Sequence, residues 1–183
     1  MSEEIVRQPL NLRETTRRRW DERLILRFPS LAYALTGAVL RRPPRSPVRR
    51  ALVRHAFQRA LEAANRGDWE AAFALLPPDL ETITPPELAG LGLQPVYRGP
   101  EGRLRMQLAW LEELGEFRQD TKEIIDVGDR IVVLAHMTGR GLGSGAEFVS
   151  ELSYVVTVSE GRLVREEPRR SHAEALEAAG LSE

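Results

Sequence analysis

Cysteine is absent from all 183 residues, which excludes disulfides, zinc thiolates, iron–sulfur ligation and thiol nucleophiles and leaves stability to packing. No uncharged apolar run reaches the roughly eighteen residues of a bilayer span, so no membrane-crossing helix is expected. The chain also shows no cationic-then-apolar leader with a small-residue cleavage site, and the expected compartment is the cytoplasm. Lysine is nearly missing: Lys122 stands alone among 26 basic residues. Aromatic side chains make up only 6%, so stacking platforms for nucleic-acid bases are scarce. What remains is ordinary globular material, 42% hydrophobic and 29% charged, in a chain long enough to bury roughly 70% of its unfolded surface.

The net charge of −1 hides an asymmetry. Residues 1–59 carry fourteen arginines against five acids, a balance of +9, whereas residues 60–183 carry twelve basic against twenty-two acidic groups, a balance of −10. One reading is that a basic extension lies on an acidic domain and the two signs attract. The other is an interaction arm that docks nucleic acid, anionic membrane or a partner protein, because Arg17, Arg18, Arg19 and then Arg41, Arg42, Arg45, Arg49 and Arg50 are clustered as phosphate-neutralising groups. Only Trp20, Phe28 and Tyr33 interleave with these charges, and no recognition motif accompanies them.

Helical spacing runs over 15–28, is interrupted by Pro29, and resumes over 30–40 in a compact apolar stretch closed by Pro43 and Pro44. Ser46 and Pro47 read as cap and first residue of a helix reaching Asn65. Asp68 restarts a helix through Trp69, Phe73 and Leu76. Short strands follow at 80–84 and 96–98, around a loop holding Pro86, Gly90 and Gly92. Gly99 and Pro100 open another helix, with Leu104, Leu108 and Leu111 on one face and Met106 and Trp110 beside it. The period then changes to two over 117–126, 130–140, 146–158 and 163–170, four antiparallel strands in a meander. Ser171 and Glu174 form a capping box for a last helix, which Gly180 stops. Helices first and sheet second, without βαβ alternation, define an α+β fold. The expected division is a basic helical extension over 1–46 and an α+β domain over 47–183.

The segments NRGDWEAAFALLPPDLE, VYRGPEG, IIDVGDRIVVLAHMTGRGLGSG, EGRLV and AEALEAAGL carry a resemblance. Residues 48–181 resemble the SnoaL-like branch of the nuclear transport factor 2-like superfamily, the cone-shaped α+β fold of ketosteroid isomerases, limonene epoxide hydrolases and polyketide cyclases. The extension resembles leaders on some actinobacterial members. The resemblance implies a curved antiparallel sheet with helices over its concave side, an apolar cavity for a hydrophobic small molecule, and a homodimer through the sheet. Isomerase, cyclase or hydrolase chemistry is what such relatives perform. The motifs are scaffold rather than chemistry. The isomerase tyrosine falls at Ala60, its base at Thr84 and its second aspartate near Tyr154; the hydrolase-type aspartate falls at Pro168, with Glu166 the nearest acid of the same strand parity.

The candidate catalytic residues are therefore His136, Tyr154 and Glu166. Tyr154 offers a phenol to a developing oxyanion, and an imidazole at His136 is a general base if it faces the cavity rather than the sheet's other side. Glu166 is alternatively a solvated strand end paired with Arg165 or Arg169. Trp110, Tyr154, Thr84 and Leu152 are the candidate ligand-binding residues, with Leu152, Tyr154, Val156 and Val158 facing the core and Glu147 and Glu151 turned away. No HxH or HExxH spacing occurs and no two histidines share a strand or helix face, so neither metal nor cofactor is expected. The glycine-rich stretch 139–145 precedes a strand, not a helix, and reads as a hairpin turn rather than a phosphate loop.

Overall fold

The computed structural model describes residues 5–85, 93–141 and 145–181. The expected loop around Pro86, Gly90 and Gly92 and the centre of the glycine-rich turn lie outside these residues. In chain order the elements are β1 (Val6–Pro9), α1 (Trp20–Arg27), α2 (Pro29–Leu40), α3 (Pro47–Asn65), α4 (Trp69–Ala72), β2 (Glu81–Ile83), β3 (Val96–Arg98), α5 (Gly99–Leu114), β4 (Phe117–Asp126), β5 (Arg130–Arg140), β6 (Glu147–Ser159), β7 (Arg162–Arg169) and α6 (His172–Ala178).

Local chemistry accounts for most boundaries. Proline sits at the start of α2, α3 and α5, where its missing N–H is no loss. Ser46 precedes α3 as expected, yet its hydroxyl makes no capping bond, and the preset φ of Pro47 starts the helix without it. Asp68 caps α4 by accepting the Ala71 N–H at 3.3 Å. At α6 Ser171 Oγ accepts the Glu174 N–H at 3.1 Å, but the Glu174 carboxylate reaches the Arg170 amide, at 3.3 Å, rather than that of Ser171. Glu160 and Gly161, with φ of 50° and 80°, make the two-residue turn between β6 and β7.

The seven strands form one sheet in the order β1-β4-β5-β6-β7-β2-β3. The β4–β7 meander is antiparallel throughout. One pairing differs: β2 lies parallel to β7, with Glu81 opposite Arg165 and Thr82 opposite Glu166. Bulges at Lys122 in β4, between Thr121 and Glu123, and at Val164 in β7, opposite Thr157 and Val158, increase the local twist that bends such a layer. The sequence pattern predicts no strand before residue 80, whereas Val6–Pro9 pairs antiparallel with β4 and covers what would be an open edge. Four residues ending in proline carry too little periodicity to announce a strand.

Alternation along the strands divides the core in two. Ile124, Ile131, Val133, Met137, Leu152, Tyr154, Val156 and Val158 face the inner side, where they meet Val53 of α3 and Met106 and Trp110 of α5. Ile125, Val132, Leu134 and Val155 face the outer side and are covered by Ala175, Leu176 and Ala179 at the C-terminal helix. Both sides of the central strands are buried at this end. The inner side holds the candidate site.

Candidate functional site

Between α3, α4, α5 and the inner face of the sheet lies a cavity of about 100 Å³. Its walls are apolar: Phe57, Ala60, Leu61 and Ala64 from α3, Ala72, Phe73 and Leu76 from the α4 region, and Val133 and Val156 from the sheet. Its polar groups are Arg103, Gln107, Gln119, Tyr154 and Glu166. A second hollow of about 80 Å³ adjoins it, sharing Phe57, Ala60, Ala72, Leu76 and Leu163 and roofed by Glu22 and Ile25 of α1. The extension therefore lies over the outer end of the cavity.

The polar groups cluster around Arg103 and Tyr154. Arg103 donates through Nε to Glu166 Oε2 at 3.2 Å and through Nη1 to Gln107 Oε1 at 3.2 Å, while its guanidinium lies 5.1 Å from the Phe73 ring centroid. Thr82 Oγ1 also donates to Glu166 Oε2, at 3.2 Å. Gln119 Nε2 donates to the Tyr154 hydroxyl oxygen at 2.7 Å, and Arg103 also interacts with that hydroxyl, so the phenolic proton is left to be given elsewhere. Burial raises the Tyr154 phenol above its ordinary range, against the pull of neighbouring Arg103, so this group is a neutral donor. Gln107 is buried, and its Nε2 has no partner. A buried amide N–H₂ without a partner costs about 1–3 kcal/mol, and here it lies at the wall of a hollow.

Two of the sequence-predicted residues meet in this site. Tyr154 and Glu166 both line the cavity, and Glu166 pairs with Arg103 rather than with Arg165 or Arg169, which both approach Glu167. Trp110 and Leu152 lie in the inner core but not at the cavity wall. Thr84 is buried beyond it, donating to the Gln94 carbonyl at 2.7 Å. His136 shares the sheet's outer face with Leu134, so it faces away from the cavity. It lies instead 5.0 Å, centroid to centroid, from His172, so two histidines do meet although they share no strand or helix. Strand register and the return of α6 bring them together, and neither is visible in residue spacing.

Arg103, Gln107 and Gln119 were missed. The expected apolar face of α5 is the wrong one: Arg103, Met106, Gln107 and Trp110 are buried, whereas Leu108 is exposed. Arginine and glutamine four apart on one face, flanking Met106, are the available signal, because buried polar groups at that spacing act as a pair.

A family model for the SnoaL-like domain matches residues 57–166. Among solved structures, TerC co-crystallised with polyporic acid is 22% identical over 64% of this chain and 89% of its own, with a TM-score of 0.58. A nuclear transport factor 2-like protein of unknown function from Burkholderia pseudomallei K96243 is 24% identical over 67% of this chain and 93% of its own, also at 0.58. A protein described as a SnoaL-like polyketide cyclase from Jannaschia sp. CCS1 is 18% identical over 70% and 90%, at 0.55. At such identities the likeness concerns the fold. The comparison with curated proteins returned no match. With its antiparallel meander, its helices over the inner face and a match spanning 57–166, the chain belongs to the SnoaL-like domain family.

Proposed function

We propose that this protein binds a small hydrophobic molecule carrying a carbonyl, phenol or other acceptor oxygen, held in the inner cavity with that oxygen toward Gln107 and Tyr154. The observation that carries the reading is the pair of unspent donors, the Gln107 amide and the Tyr154 hydroxyl, at the wall of an otherwise apolar hollow. Specificity for an acceptor follows, because a ligand oxygen that accepts from Gln107 relieves the buried amide and a second bond from Tyr154 fixes its orientation. At about 100 Å³ the hollow is below the usual range for ligand pockets, so a larger guest joins it to the adjoining space by displacing Phe57 and Leu76. Binding ranks ahead of turnover. Glu166, the carboxylate at hand, is already engaged by Arg103 and Thr82 and is not a free base; in an enzyme, Tyr154 and Arg103 would stabilise negative charge on the ligand oxygen.

The test is thermal unfolding of the untagged chain with hydrophobic ketones, phenols and polyporic acid. A ligand at one hundred times its Kd adds about 2.7 kcal/mol, roughly 5–10 °C for a chain of this size. Tyr154→Phe and Gln107→Leu are each expected to abolish the shift. No shift with any compound, or a shift retained in both variants, sinks the reading.

A separate observation favours a second role, docking of the extension on an anionic membrane. Trp20, Leu24, Phe28, Leu31 and Leu35 all expose their side chains along α1 and α2, with Trp20 71% accessible, and Arg17, Arg19, Arg23 and Arg27 are exposed beside them. Among the described residues no single helix is long and apolar enough to cross a membrane; α1 and α2 qualify only together and are bent by 104°. This composition suits a helix pair lying in the interface. Sedimentation with phosphatidylcholine vesicles, with and without phosphatidylserine, is expected to show salt-sensitive binding that requires the anionic lipid and fails in the Leu31→Glu, Leu35→Glu double variant. Equal binding by the variant, or binding of duplex DNA and not of vesicles, overturns it.

A further inference from the structure

On the outer face of the sheet, away from the cavity, a set of side chains has the composition and arrangement of a metal centre. His136 lies mid-strand in β5, directly opposite Glu151 of β6 and Asp120 of β4. Such cross-strand partners place their Cβ atoms about 4.5–5.5 Å apart on one face. The C-terminal helix returns over this face and begins at His172, whose ring stands edge-on to that of His136, at 86° between planes.

His172 is held from two sides. Its backbone N–H donates to Glu151 Oε2 at 2.7 Å, and its Nε2 lies 3.1 Å from the carbonyl oxygen of Ala135. A carbonyl only accepts, so Nε2 carries the hydrogen, and in the neutral ring the lone pair is left on Nδ1. That Nδ1 lies 3.7 Å from Glu151 Oε1. A ring nitrogen bonded to a backbone carbonyl, with the other nitrogen free, is the orientation in which imidazoles serve as metal ligands. On His136, Nδ1 is buried without a hydrogen-bond partner. An ion pair between His172 and Glu151 alone would leave that imidazole unexplained.

One donor atom from each of His136, Glu151 and His172 lies within 4.8 Å of the others. Ligand atoms around a tetrahedral zinc, with bonds of about 2.0–2.1 Å, are about 3.4 Å apart, so small side-chain rotations close the set. We propose that His136, Glu151 and His172 bind a divalent transition ion of the zinc class. Two imidazoles and one carboxylate suit that class over Mg²⁺ or Ca²⁺, which take oxygen ligands. Glu151 is exposed, which gives the ion access and leaves the fourth position to solvent. The ion ties the first residue of α6 to β5 and β6. This site is independent of the inner cavity, from which it is separated by the sheet.

The experiment uses the untagged full chain, stripped with chelator and titrated with Co²⁺ and Zn²⁺. One Co²⁺ per chain is expected, with visible absorption bands of a low-coordinate nitrogen–oxygen site that Zn²⁺ abolishes. His136→Ala and Glu151→Gln are each expected to weaken binding by about tenfold or more. Glu151→Gln keeps shape and loses only charge, so it reads the proposal even if His136→Ala unfolds. Absence of Co²⁺ bands in the wild-type chain, or equal affinity in wild type and Glu151→Gln, overturns the assignment. Zn²⁺ is also expected to raise the wild-type Tm more than that of Glu151→Gln at the same concentration.

Discussion

The fourteen arginines of the first 59 residues are one residue type in several physical states. Arg49 is buried on α3, where it grips Asp126 through two bonds of 2.8 Å and spends its remaining donors on the carbonyls of Leu40, Arg42 and Gly128. Asp126, fully buried, also accepts the Gly128 N–H at 3.0 Å. One pair thereby joins the end of α2, the start of α3 and the β4–β5 turn. Removing either partner leaves a buried charge uncompensated, so Arg49→Ala is expected to cost about 3–5 kcal/mol in urea unfolding, whereas exposed Arg50→Ala costs less than about 0.5 kcal/mol. The sequence presents Arg49 and Arg50 as members of one basic cluster. Which of the two turns inward follows from helix phase against a sheet that lies 77 residues downstream. The same holds at the cavity, where Tyr154 was legible from strand parity but Gln119 was not, and where Arg103 and Gln107 offer only their four-residue spacing, because polar residues give no hydrophobic pattern to read.

Elements reveal their ends more readily than their partners. Prolines, glycines and Asp68 place the helix starts and turns closely, and period-two alternation delimits β4 to β7. What α2 packs against is set by backbone approach. The β6–β7 turn reaches α2 so closely that a Cβ on Gly161 would collide with the Gly37 carbonyl, and its φ of 80° disfavours any other residue. Gly161→Ala is therefore expected to destabilise by about 1–3 kcal/mol, measured as a lower urea midpoint with an unchanged m-value. Gly145, with φ of 65° and nothing nearby, is the control: alanine there meets only the backbone penalty of about 1 kcal/mol. Both glycines look alike in sequence, each punctuating a hairpin, and only the proximity of a helix separates them.

At the scale of the whole molecule the opposite charges of the two halves meet in a clasp. Arg18 of the extension donates to both Asp68 oxygens, at 2.7 and 2.8 Å, and to Glu70 at 2.6 Å. Arg66 joins Glu22 to Asp68, and Arg59 bridges Asp21 and Glu62, so cations and anions come from both partners. The Arg18 hydrogen bonds, offset in part by burial, hold the Asp68 carboxyl down at about 2, below its ordinary 3.8. A depressed folded pKa stabilises above the unfolded value and ceases to do so as pH falls through the folded one, so this contribution fades between about pH 4 and pH 2. Limited proteolysis of the extension is expected to accelerate across that window in the wild type, and to be already fast at pH 5 and flat across it in Asp68→Asn. Charge segregation, the α+β order, the meander and the proline-marked starts of α2, α3 and α5 were written in composition and period, because each follows from neighbours in the chain, whereas α1 begins only at Trp20 rather than near Thr15 and α4 stops at Ala72 short of Leu76. The inner cavity's donors, the pairing of β1 with β4, the buried role of Arg49 and the meeting of His136, Glu151 and His172 belong to the tertiary structure, because each joins residues through register and helix phase, quantities that packing alone assigns.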